Sequence, residues 1–127
     1  MGKILSIGSA KLPIVDFDSD SGLLTISGRC IPENALGFFN PIKEWIEEYS
    51  RSPKSETTFD IFLEYFNTSS SKCLLDLFKQ VEAIHLSGRC KMKIIWRYEE
   101  DDEDMLEAGY DYSHIVKIPF EMIEVKE

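Results

Sequence analysis

Residues 66–73 read FNTSSSKC, and four hydroxyl side chains, Thr68, Ser69, Ser70 and Ser71, stand in a row before the helix-patterned LLDLFKQV. A helix start uses one such residue as a cap, so the run holds more hydroxyls than capping needs. Where a strand feeds a helix, the unpaired amides of the first turn and the helix dipole favour an anion. Two chemistries suit that place. In one, the hydroxyls only cap the helix and solvate the turn. In the other, one of them accepts a phosphoryl group, gaining about −1.5 to −2 charges and three acceptor oxygens. A partner that docks on the neutral turn would then meet a dianion, and an acidic or apolar one would be expelled.

Other reactive side chains point to less. Cys73 adjoins the hydroxyl run, where a helix start favours a thiolate; the plainer reading is a small buried side chain. His85 and His114 are the only histidines, and neither stands at metal-ligand spacing from a cysteine. His85 falls inside a helical pattern and is read as a packing or surface residue. Six consecutive acids, Glu99 to Asp104, lack the glycine and spacing of a calcium loop and read as a self-repelling, solvated block open to a basic partner. No glycine-rich nucleotide loop, zinc pattern or nucleophile elbow occurs, so catalysis has no support in the sequence.

The elements that must position the hydroxyl turn follow from periodicity. PIVDFDSDSGLLTISG alternates on both sides of a polar turn at Gly22 and predicts a hairpin, with a short earlier strand from Ile4 to Ile7. PENALGFFNPIKEWIEEYS carries apolar residues at spacings of three and four, a helix that Pro41 divides, with Asn40 capping the longer piece. In TTFDIFLEYF, Phe59, Ile61, Leu63 and Tyr65 fall on one side and Asp60, Phe62, Glu64 and Phe66 on the other, as in a strand. A second helix carries Leu74, Leu77 or Phe78, Val81 and Ile84 and ends at Gly88. KMKIIWRY reads as a strand, and HIVKIPFEMIEV as a last one whose Pro119 favours an edge. The class is α/β, one domain with a mixed sheet of about five strands and helices packed on it.

With 127 residues, 43% hydrophobic and 12% aromatic, the chain can bury a core of its own. The net charge of −9, from 23 acidic and 14 basic residues, opposes nucleic acid and anionic bilayers. Cys30, Cys73 and Cys90 form no CxxC pair, and no run approaches the roughly 20 apolar residues that span a membrane. A soluble protein of the reducing cytoplasm is expected.

Several stretches together resemble the SiaC-type regulatory phosphoproteins of bacteria: PIVDFDSDSGLLTISGRCIPENALGFF, LEYFNTSSSKCLLDL, WRYEEDDEDMLEAG and IPFEMIEV. The resemblance covers nearly the whole chain, 1–127, as one regulatory domain. It implies a non-catalytic switch without cofactor or metal. A dedicated serine/threonine kinase phosphorylates a threonine of the NTSS motif, here Thr68, a metal-dependent phosphatase reverses this, and the unmodified form binds and activates a diguanylate cyclase, raising cyclic di-GMP and promoting aggregation or biofilm. Pro32, Glu33, Asn34, Asn67, Thr68, Ser69, Ser70 and Lys72 would form the partner-binding surface, with Lys72 close enough to pair with phosphate. The logic also resembles the anti-sigma factor antagonists and hence a STAS-like sheet. The rival expectation is a small anion- or metabolite-binding domain, or an enzyme, using the same turn.

Overall fold

The computed structural model describes residues 2–126. Six strands form one sheet in sequence order: β1 (Lys3–Ser6), β2 (Ile14–Asp18), β3 (Leu23–Cys30), β4 (Glu56–Phe66), β5 (Lys91–Glu99) and β6 (Phe120–Val125). The first three are antiparallel neighbours, and β3 to β6 run parallel. Parallel neighbours need long crossovers. These are the helices α1 (Ala35–Tyr49), α2 (Thr68–Leu86) and α3 (Glu103–Ile115).

Alternation decides which face the helices cover. Val15, Phe17, Leu24, Ile26, Phe59, Ile61, Leu63, Met92, Ile94 and Trp96 point to one side and join the buried faces of all three helices in one core. Phe78 of α2 packs edge-on against Phe59, and Tyr112 of α3 lies against Phe78 and Trp96. The opposite face is solvated and held together by ion pairs, among them the two-pronged contact of Arg97 with Asp60 at 2.9 and 3.0 Å. This is the expected α/β class in two layers, with six strands in place of about five.

Three expectations are corrected. First, α1 is one helix: Asn34, not Asn40, caps it, and Pro41 lies inside. Pro41 and Gly37, whose carbonyl it leaves without its helical N–H donor, are both exposed, so water can serve that carbonyl. The continuous stripe Ala35, Phe39, Ile42, Ile46 and Tyr49 stays buried.

Second, a helix, α3, starts at the end of the solvated acidic block and takes the start of the segment HIVKIPFEMIEV that was expected to be strand. Glu99 closes β5, Asp102 caps α3 by accepting the Met105 amide at 3.1 Å, and Glu103 and Asp104 fill the first turn, where the helix dipole favours negative charge. His114 and Ile115 accordingly end α3, and the last strand begins only at Phe120. It is an edge strand, as Pro119 implied.

Third, β4 does not alternate to its end. Gly28 pairs with Leu63, Arg29 with Tyr65 and Cys30 with Phe66, so the register slips by one residue at Glu64. Gly28, at φ +112°, supplies the backbone conformation that other residues resist. Phe66 therefore turns inward against Trp96 and Tyr112, and Tyr65 turns out to solvent.

Candidate functional site

The parallel strands β3, β4 and β5 all end at one edge of the sheet, and the N-termini of α1, α2 and α3 follow there. Each helix is capped by the side chain of Asn34, Asn67 or Asp102. Asn67 holds this edge together. Its Oδ1 accepts the Ser70 amide at 3.0 Å, its Nδ2 donates to the Pro32 carbonyl at 3.2 Å, and its backbone amide donates to the Cys30 carbonyl at 3.1 Å. The loop after β3 is also tied to residues 9–12, where Ile31 N donates to Lys11 O at 2.8 Å and Lys11 pairs with Glu33 at 3.1 Å.

The four hydroxyls separate into distinct roles. Ser70 is 0% exposed and lies against Cys30, Sγ to Oγ 3.5 Å. Ser71 donates to the Thr68 carbonyl at 2.7 Å, and Ser69 donates to Asn67 Oδ1 at 3.3 Å. Thr68 is exposed, and its hydroxyl makes no hydrogen bond among the described residues. Asn67 takes up the amides of Ser70 and Ser71, so those of Thr68 and Ser69 are the open donors of the first turn. Lys72 is exposed and four residues beyond Thr68, a spacing that puts both on one helix face.

Most of the expected surface residues gather here: Glu33, Asn34, Asn67, Thr68, Ser69 and Lys72. Pro32 and Ser70 belong to the support instead, because both are buried. Pro32 contributes its carbonyl to Asn67, and Ser70 packs under the turn. Cys73 is buried as well, and burial raises its thiol above the ordinary value, with Asp76 adding to the effect. Burial likewise raises Cys30, and for Cys73 the reading as a small buried side chain holds. His85 accepts the Met92 amide on Nδ1 at 3.1 Å, a structural role away from this edge. No cluster of three metal-ligating side chains occurs among the described residues. Among the same residues no helix is long and apolar enough to cross a membrane.

Periodicity alone missed Tyr112, which stands in the segment read as part of the wet acidic stretch. Its hydroxyl donates to the Ser71 carbonyl at 2.8 Å, so α3 braces the first turn of α2. The spacing Met105, Gly109, Tyr112, all buried, was the available signal.

The model of the SiaC family regulatory phosphoprotein matches residues 7–125. An uncharacterized protein of Pseudomonas aeruginosa (strain UCBPP-PA14) is 27% identical over 113 residues, 89% of each chain. The crystal structure of apo-SiaC from Pseudomonas aeruginosa superposes with a TM-score of 0.88 at 26% identity, covering 97% of this chain and 99% of that one. A chain in the crystal structure of the diguanylate cyclase SiaD in complex with its activator SiaC, from the same species, superposes with a TM-score of 0.90 at 25% identity, covering 96% and 99%.

Proposed function

Because this chain belongs to the SiaC family of regulatory phosphoproteins, we propose that it is a non-catalytic switch whose phosphoacceptor is Thr68. In its unmodified form it binds and activates a diguanylate cyclase. A serine/threonine kinase transfers the γ-phosphoryl group of ATP to Thr68 Oγ1, the hydroxyl proton leaves to a base of the kinase, and ADP departs. A metal-dependent phosphatase hydrolyses the ester. The chain itself supplies no cofactor, and the cycle would run in the cytoplasm.

One observation carries the assignment of the residue: of four adjacent hydroxyls, only that of Thr68 is both exposed and unbonded among the described residues. A phosphate there meets the free amides of Thr68 and Ser69 and the ammonium of Lys72, charge-assisted contacts that need no refolding. Support for the cyclase as partner comes from the structurally similar SiaC, which activates SiaD. Glu33, Asn34, Asn67, Ser69 and Lys72 form the surrounding contact surface. The test is intact-mass measurement after incubation with the cognate kinase and ATP. One added phosphate on the wild type and none on Thr68→Ala is the expected result; full modification of the Thr68→Ala chain would refute the assignment.

A further inference from the structure

The bulge at Glu64 exchanges the sides of two aromatics: Phe66 enters the core and Tyr65 leaves it. A regular β4 would carry Tyr65 to the same side as Phe59, Ile61 and Leu63; the one-residue slip sends it to the solvated face, 54% exposed. There it lies beside its register partner Arg29, also exposed and without an ion pair among the described residues. Tyr65 is three residues before Thr68, and the backbone amide of Asn67 bonds the carbonyl of Cys30, the residue after Arg29. Bulges re-aim side chains beside functional sites, and Tyr and Arg are the residue types that dominate binding energy at interfaces. On a chain with a net charge of −9, Arg29 on one side of the turn and Lys72 on the other give this part of the edge cations that no acid of the chain takes up among the described residues.

From this juxtaposition we propose that Tyr65 and Arg29 anchor the partner released by phosphorylation of Thr68, and that the partner segment seated on them is acidic. The inference rests on the switch reading above and adds the contact residues and the partner's chemistry to it. An acidic segment explains the direction of the switch. The unmodified turn offers Arg29 and Lys72 to carboxylates; the phosphate takes Lys72 for itself and sets a dianion against the same carboxylates.

The experiment titrates the unmodified chain against the diguanylate cyclase of its own source, with cyclic di-GMP formation as a second readout. Arg29→Glu and Tyr65→Ala should each weaken binding tenfold or more, Tyr65→Phe should stay within threefold, and raising salt should weaken the wild type far more than Arg29→Glu. Both substituted side chains are at the surface, so melting temperatures should match the wild type and kinase modification of Thr68 should proceed normally. Wild-type binding with Arg29→Glu and Tyr65→Ala equally tight, or tightened by Arg29→Glu, overturns this proposal alone. A wild-type chain that neither binds nor activates the cyclase overturns the switch reading and this proposal with it.

Discussion

The side-chain amide of Asn67 joins a loop to a helix start: its nitrogen donates to the Pro32 carbonyl at 3.2 Å while its oxygen accepts the Ser70 amide at 3.0 Å. A residue that caps α2 thus also fixes the loop that leads into α1. Both ends of the amide are used, so its two halves can be tested separately.

Asn67→Ala removes the cap and the tether together and should cost about 1–2 kcal/mol, at the upper end for a cap. Asn67→Asp keeps an acceptor for the Ser70 amide but has no N–H for Pro32, and should fall between the two. Urea denaturation gives the order; equal stability of the Asp and Ala variants would show that the cap contributes nothing.

Thr68→Ala should leave the fold within about 0.5 kcal/mol of wild type, as for exposed positions free of special contacts. It should also keep cyclase binding while abolishing phosphorylation. Thr68→Asp brings one charge and two oxygens where phosphate brings nearly two and three, and should weaken binding only in part. Titration of the three forms against the cyclase tests this, and a Thr68→Asp chain that binds more tightly than wild type would contradict it.

Gly109 lies where α3 crosses Trp96. A β-carbon there would stand 2.4 Å from Trp96 Cδ1 and 2.7 Å from Met122 Cε, while the indole nitrogen is already committed to the Met105 carbonyl at 3.0 Å. Gly109→Ala should therefore destabilise the chain by about 1–3 kcal/mol, the usual range for overpacking, although alanine favours a helix by about 1 kcal/mol. A thermal melt reads the net sign.

Burial raises Cys30, Cys73 and Tyr112 above their ordinary values of 9.0, 9.0 and 10.0. The folded chain holds these protons more tightly than the unfolded one. Their contribution to stability is full below the unfolded values and is lost as pH rises above them towards the folded ones. Urea midpoints should fall from about pH 9 upward, and above pH 10 the fall should be shallower in Tyr112→Phe. At pH 7 that variant loses its bond to Ser71, worth about 0.5–1.5 kcal/mol. Midpoints unchanged between pH 8 and 11 would exclude this linkage.

How much was legible beforehand depended on whether a signal was local. The hairpin around Gly22, the strand from Thr57, the helix after the hydroxyl run and the edge position of the last strand were readable from alternation and turn residues. Helix α3 was hidden because its charged first turn looks like a disordered run until the dipole and the Asp102 cap are considered together. Pro41 misled in the opposite direction: breaking a helix is its local tendency, and burial of the stripe on both sides outweighs it.

Residue order alone carried the charge balance, the strand and helix periods and the presence of a hydroxyl run at a helix start, because each depends on neighbours along the chain. It could not say which of Thr68, Ser69, Ser70 and Ser71 faces solvent, nor that Tyr65 leaves the core while Phe66 enters it. Those outcomes depend on Cys30 packing under Ser70 and on β3 pairing with β4 one residue out of step, contacts between segments roughly 40 residues apart that exist only once the sheet has formed.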